Sequence, residues 1–343
     1  MKRKFEDCVR DELRNFTQTA DNVTRKIERY LTDLALEIEY NNKHPEKLDL
    51  SIDRMDDVYD MQTDAAGNVL YIRSDEMKPG EMVYMCMGVE RTPFNDEKKK
   101  LLKCYEYAGA TGVRMYDELE YVDELWLFDH LQNTGFGRLE YKWSHFLVPG
   151  LDITLFYPLG LAYYDWFEMV DLPNNPLRQV KCSATPFVEL FNQWIMHLKV
   201  PVYIDRYGPN EKLTGITSAH LNLAWLMRDT IDTSSLRIMI INDESILVGM
   251  NPAAKKDINL ETYDPAKFSY DTVFEPEVGA YKRQLVSEIL NLEHDKPEDV
   301  VSLAFKAKSE YNFTHTIQGK TYRCIKERAP ELGFHYIALL DAD

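Results

Sequence analysis

Along the first forty residues, apolar side chains fall at Leu13, Phe16, Ala20, Val23, Ile27, Tyr30 and Leu34. The steps alternate three and four, which is the heptad seam of an amphipathic helix. Acids, bases, Thr and Asn fill the other faces, and neither Pro nor Gly interrupts before Pro45. The spacing predicts one long helix over residues 1–44. Such a helix is marginal alone, so its seam must lie on its own domain or on a twin helix in a homodimer.

The pattern changes after residue 58. "DVYDMQTDAAGNVLYIRSD" reads as a strand, a turn at Ala66-Gly67-Asn68 and a second strand. "TPFNDEKKKLLKCYEYAGATG" reads as a helix, with Pro93 at its start and Gly109 at its exit. Short apolar runs broken by turn residues follow: "ELWLFDHL", "GRLEYKW", "DITLFYPLG", "VKCSA" and "FNQWIMHLKVPVYID". They predict the strands of one antiparallel sheet. A helix over Ala219–Thr230 leads to a second series, with strands at Ile238–Ile241 and Ile246–Met250 around a turn at Asn242–Glu244. Helices at Tyr281–Leu292 and Pro297–Lys308 come next, then the strand runs "EYNFTHTIQGKTYRCIKER" and "FHYIALLDA". The class is α+β, with two modules in tandem.

Composition narrows the function. The 343 residues suffice for about two domains. A net charge of −17 disfavours nucleic acid, which needs clustered Lys and Arg. No run reaches the roughly 18–20 apolar residues of a membrane span, and the basic start lacks the apolar stretch of a signal peptide. Taken literally, that describes a soluble cytoplasmic chain. The five cysteines are scattered with no CxxC, as free thiols would be. There is no GxGxxG, no GxxxxGK[ST], no HExxH and no GxSxG, and the eight histidines are dispersed. "MVYMCMG" (82–88) suits an apolar strand better than a soft-metal patch. No catalytic, metal or cofactor set emerges, which leaves a binding module whose pocket is mostly apolar with a few placed polar groups.

Taken as an ordered series, several segments resemble the double Cache sensory domains of bacterial and archaeal transmembrane receptors. These are "ITLFYP" (153–158), "YYDWF" (163–167), "VKCSATPFVE" (180–189), "WIMHLKVPVYID" (194–205) and "GITSAHLNL" (215–223). "LRIMIINDESILVGMNP" (236–252) and "YNFTHTIQGKTYRCIKERAPELGFHYIALLD" (311–341) continue the order, while residues 60–145 match loosely. The resemblance implies a long N-terminal helix (1–44), a membrane-distal PAS-like ligand-binding module (45–218), a connecting helix (219–235) and a membrane-proximal PAS-like module (236–343). It also implies a non-enzymatic, extracytoplasmic domain, with membrane spans and a chemotaxis, histidine kinase or cyclase output outside this chain. That overrides the cytoplasmic reading. Amino-acid binders of this family hold the ligand carboxylate with an Arg and its ammonium with an Asp. Those positions are Tyr164 and His220 here, while the aromatic frame of Trp166, Phe167, Phe187 and Tyr203 is kept. With Asp165 and Lys181 as the nearest charges, these residues form the expected site. Loss of both clamps implies a small-molecule ligand other than a typical α-amino acid, because a buried charge needs its charge-assisted bonds. By residue type alone, Trp166 and Phe167 suit core packing better than a pocket, and His220 suits a satisfied histidine at a helix start; the resemblance brings the pocket reading level. Two other classes stay open: a hydrolase or transferase using carboxylates and His220, and an interaction module dimerising through the N-terminal helix.

Overall fold

The computed structural model describes residues 2–48, 59–63, 69–73, 83–86, 103–105, 107–108, 119, 121–129, 134–141, 146–147, 165–182, 187–188, 194–243, 247–258, 312–317 and 320–342. They form an α+β fold of one long helix, α1 (Lys2–Lys43), and antiparallel sheets. The strands are β1 (Tyr59–Thr63), β2 (Val69–Arg73), β3 (Val83–Cys86), β4 (Val122–Asp129), β5 (Thr134–Tyr141), β6 (Phe146–Leu147), β7 (Lys181–Cys182) and β8 (Phe187–Val188). They continue with β9 (Trp194–Ile204), β10 (Lys212–Asn222), β11 (Arg237–Asn242), β12 (Leu247–Met250), β13 (Asn312–Ile317), β14 (Lys320–Ala329) and β15 (Phe334–Asp341). Two compact units divide the chain: Ile27–Cys182 with His197–Leu221, and Met1–Lys26 with Ser183–Met196 and Asn222–Asp343.

The predicted helix is present, and its buried stripe is shifted from the predicted seam. Leu13, Ala20, Ile27 and Leu34 are buried, but Thr17 and Thr24 occupy the inner positions while Phe16 and Val23 are only half-buried. Each Thr hydroxyl donates to a carbonyl of its own helix, Thr17 to Arg14 O at 3.0 Å and Thr24 to Ala20 O at 2.9 Å. A hydroxyl satisfied this way can sit in an apolar seam. The strand–turn–strand reading of residues 58–75 gives β1 and β2, in register from Tyr59↔Arg73 to Thr63↔Val69. The turn at Ala66-Gly67-Asn68, the strand in "DITLFYP" and the helices at Tyr281–Leu292 and Pro297–Lys308 lie outside the described residues. Of the helix expected after Pro93, residues 103–105 and 107–108 are described, and they are helical.

In the unit of Ile27–Cys182 and His197–Leu221 the strand order is β3-β5-β4-β10-β9-β7, with β6 on β5. One sheet face packs on the C-terminal half of α1: Thr217 Oγ1 donates to Leu31 O at 2.9 Å. Gly215 lies two residues away on the same face, where an added Cβ would collide with the Phe128 carbonyl and the Tyr105 hydroxyl. Farther along α1, Glu39 accepts from Arg206 Nε at 2.8 Å and from the Tyr203 amide at 2.8 Å. Asn41 Nδ2 donates to Cys104 O at 3.2 Å.

In the other unit the order is β12-β11-β15-β14-β13. The N-terminal half of α1 makes ion pairs with β14. Glu6 pairs with Arg323 at 2.6 Å, and Arg14 with Glu327 at 3.2 Å. One helix was not expected from the sequence. It spans Pro252–Asp257, with Pro at its first turn and the side chain of Asn251 accepting from the Ala254 amide.

Candidate functional site

The sheet face turned away from α1 is polar, aromatic and covered. Side chains alternate along a strand, so if Thr217 and Gly215 face α1, then Ser218 and His220 project from the opposite side. Register carries this face across the sheet. His220 is the partner of Glu124, Ser218 of Trp126, and Ile216 of Phe128. On β9 the His197 ring packs against His220, tilted by 43° with centroids 3.8 Å apart, so His197 and Lys199 share the face. Lys181 of β7 is the Cα partner of Lys199 and joins them. Trp126 lies 5.8 Å from His220 and 5.2 Å from Phe128, ring centre to ring centre.

These groups are withdrawn from water. Lys199 is 1% exposed, His220 and Ser218 3% each, and His197 and Trp126 8% each. A turn after the short helix Asp165–Glu168 contributes cover: Lys199 Nζ lies 3.6 Å from Met169 Sδ, and Tyr203 Oη 3.5 Å from Val170 O. Burial first, and then the neighbouring His220 and Lys199, hold the His197 pKa well below its usual value. His197 is therefore neutral near pH 7. Burial also pushes the Tyr203 hydroxyl up to about 12.

The sequence-predicted residues fall in different places. His220 lies within this face. It stands on β10, however, and not at the start of a helix. The predicted helix over Ala219–Thr230 begins instead at Leu223 and ends at Asp229. Pairing with β4 persists to Leu221↔Val122, and Asn222 then caps the helix by accepting from the Trp225 amide at 3.1 Å. Tyr203 is on the face but fully buried, with Arg206 and Arg178 at 4.9 and 5.8 Å from its ring. Phe167 is buried, 4% exposed, in the helix that precedes the covering turn. Lys181 is half-buried at the edge. For Asp165, Trp166 and Phe187 only the backbone is described, in the short helix and in β8, and Tyr164 lies outside the described residues.

Trp126, His197, Lys199 and Ser218 were missed by the sequence reading. The signal was period-two alternation. In "WIMHLKVPVYI" His197 and Lys199 alternate with Met196, Leu198 and Val200, and in "TSAHL" Ser218 and His220 alternate with Thr217, Ala219 and Leu221. Such polar positions normally read as the wet side of a sheet. Among the described residues, no group of three or more His, Cys, Asp or Glu is placed to hold a metal ion, and no helix is long and apolar enough to cross a membrane.

No family model and no curated protein matches the chain. Solved structures do. The ligand-binding domain of the Campylobacter jejuni chemoreceptor Tlp3, in complex with L-valine, is similar at 10% identity over 100% of this chain and 94% of that one, with a TM-score of 0.48. That of the Pseudomonas fluorescens chemoreceptor CtaA, in complex with L-isoleucine, is similar at 9% identity over 100% and 94%, at 0.45. An extracellular ligand-binding receptor from Desulfohalobium retbaense is similar at 8% identity over 96% of this chain and 39% of its own, at 0.42. These likenesses are ones of fold, and each spans 96–100% of this chain.

Proposed function

We propose that the chain is the extracytoplasmic ligand-sensing region of a membrane receptor, and that the unit of Ile27–Cys182 and His197–Leu221 binds a small molecule. The observation that carries this is the covered polar face of Trp126, His197, Lys199, Ser218 and His220. Burying that many polar groups in a sheet costs stability, and a core built for stability alone would place apolar residues there. A largely apolar enclosure with a few converging polar groups is the form of a ligand site. The ordered segments of the sequence support the same reading. In it, this unit corresponds to the membrane-distal module, the β11–β15 sheet to the membrane-proximal one, and Leu223–Asp229 to the start of the connection. The ligand is not a typical α-amino acid, since Tyr164 and His220 stand where Arg and Asp would clamp one. Membrane spans and a signalling output belong to chain beyond these residues, and a homodimer through α1 is part of the same reading.

Thermal-shift screening against small acids, amines, sugars and purines tests the proposal. A ligand at 100 times its Kd stabilises by about 2.7 kcal/mol. Trp126→Leu is expected to remove the shift. A panel in which nothing stabilises the protein sinks the sensing function, and a shift that survives Trp126→Leu moves the site elsewhere.

A further inference from the structure

The turn that covers Lys199 and Tyr203 belongs to a folded strap, residues 165–180. The strap is bonded to itself. Buried Asn175 meets Gln179 in both directions: its Nδ2 donates to Gln179 O at 2.7 Å, and its Oδ1 accepts from the Gln179 amide at 3.0 Å. The Asn175 amide donates to Asp171 O at 2.7 Å, and Asn174 Nδ2 to Glu168 O at 3.1 Å. Toward the sheet face its polar contacts are weak. Tyr203 Oη is 3.5 Å from Val170 O, and Lys199 Nζ is 3.6 Å from the Met169 thioether, a poor acceptor. At its foot, three residues before β7, the bonds are short. Arg178 donates to Glu211, from Nε at 2.6 Å and from Nη2 to the second oxygen, a bidentate pair.

Backbone strain gathers at the same foot. Among the described residues, Arg178, Asp205 and Tyr207 are the non-glycine residues with positive φ, at 54°, 52° and 63°. Asp tolerates this region, whereas Arg and Tyr visit it seldom and at a cost. Such outliers persist where neighbours over-determine them, and they cluster at clamps and switch regions. One carboxylate holds both Arg178 and Tyr207. Glu211 also accepts from the Tyr207 amide at 3.1 Å, and the Arg178 guanidinium lies 4.4 Å from the centre of the Tyr207 ring. Tyr207 is 72% exposed, so burial of its ring does not fix its backbone.

We propose that Glu211 is the latch of this strap. With Arg178 and Tyr207 held, the strap closes over Lys199 and Tyr203. With them released, it swings from its β7 end and opens the covered face. This rests on the binding role proposed above and adds how access to that site is controlled. A strap bonded to itself, weakly bonded to the face it covers, opens by breaking one pair rather than many. Release also relaxes two left-handed residues, which offsets part of the lost pair. Opening is therefore a local event, cheaper than separating β9 from β10, and Glu211 sets its frequency.

The experiment uses the chain without ligand, so a failed latch is distinguished from a failed sensing function, which the thermal-shift panel tests. Hydrogen exchange read by mass spectrometry follows the amides of residues 165–182, 194–204 and 320–341. Acetylation by an activated acetate ester reads access to Lys199, with buried Lys326 of the other unit as the control. In Glu211→Gln, exchange across 165–182 and acetylation of Lys199 should each rise about tenfold or more, the loss of one charge-assisted pair. Residues 194–204, residues 320–341 and Lys326 should keep wild-type rates. Arg178→Gly, which removes the pair and suits the left-handed backbone, should act the same way. The reversed pair, Arg178→Glu with Glu211→Arg, should return both readings toward wild type. Unchanged rates in Glu211→Gln overturn the latch. Equal rises across 165–182 and 194–204 make Glu211 a structural residue of the sheet and overturn it as well. If Glu211→Gln does not fold, Arg178→Lys carries the test: it keeps the charge but not the fork, and wild-type exchange and acetylation in it overturn the proposal.

Discussion

Asn251 holds more of its unit together than its size suggests. It is 0% exposed. Its side-chain oxygen accepts from the amides of Ile238 and Ala254, both at 3.0 Å. Its side-chain nitrogen donates to the carbonyls of Ile231 at 3.1 Å and Leu236 at 2.7 Å. Four backbone groups from the turn at Ile231–Thr233, the start of β11 and the helix Pro252–Asp257 thus meet one amide, which is saturated. Asn251→Ala removes this partner from all four, and among the described residues only the Ile231 carbonyl keeps another, the Ser234 amide at 3.1 Å. Each buried group left unmade costs about 1–3 kcal/mol. Relaxation and water reaching the half-buried Leu236 offset part of this, so we expect a net loss of about 3–5 kcal/mol, an exceptional value for one substitution. Asn251→Asp keeps both acceptor bonds but turns a carboxylate oxygen toward two carbonyls, and should lose nearly as much at pH 7. Urea unfolding followed by circular dichroism reads the change as a shifted midpoint at constant slope. A loss below about 1 kcal/mol for Asn251→Ala would refute the claim that these bonds organise the unit.

Other outcomes follow from the same geometry. Glu39→Ala strands Arg206 and the Tyr203 amide in a pair only 15% and 12% exposed, so a loss of about 2–4 kcal/mol is expected, with a double-mutant cycle against Arg206→Ala showing coupling above 1 kcal/mol. Gly215→Ala drives a methyl group into the backbone of Phe128 and should cost more than about 2 kcal/mol. Gly249→Ala meets only the flexible Met227 thioether and should cost less than about 1 kcal/mol in the same unfolding assay. His335 is buried, which lowers its pKa despite the opposing bond from Nε2 to Asp243 Oδ1 at 2.7 Å. The unfolded chain therefore binds the His335 proton more readily than the folded one, and this part of the stability falls as pH drops below 6.5. Asp243 is depressed, because the Arg328 and His335 bonds outweigh its burial, and its contribution is lost at more acid pH, below 3.8. His335→Gln should flatten the slope of unfolding midpoint against pH between 7 and 5, and an unchanged slope would remove His335 as its source.

Much of the architecture was legible in the sequence because it is written in local periods. The three–four spacing of Leu13, Phe16, Ala20, Val23, Ile27, Tyr30 and Leu34 gave α1, and the apolar runs gave β4, β5, β9, β11, β14 and β15. Periodicity failed where a polar side chain does a job that spacing cannot express. Thr17 and Thr24 fill the helix seam because each hydroxyl finds a carbonyl of its own helix. The helix predicted from Ala219 was late by four residues because β4 continued to pair with β10. The segment Pro252–Asp257 was missed because a six-residue helix has too few turns to show a stripe, and Asn251 sets its start through tertiary bonds.

The candidate site divides the same way. His220 could be named from its place in an ordered series of segments, but that series could not say that His220 packs against His197, or that Lys199 is buried. Alternation places His197, Lys199, Ser218 and His220 on one face of their strands, and a strand by itself cannot tell whether that face is wet or covered. Sequence determined the elements, the alternation and the class of fold, since these follow from backbone sterics and the burial of apolar side chains. Tertiary structure alone decided which sheet face meets α1, through Gly215 and the Thr217 bond to Leu31, and so which polar residues lost water. That choice depends on contacts between residues up to 186 positions apart, which no local pattern records.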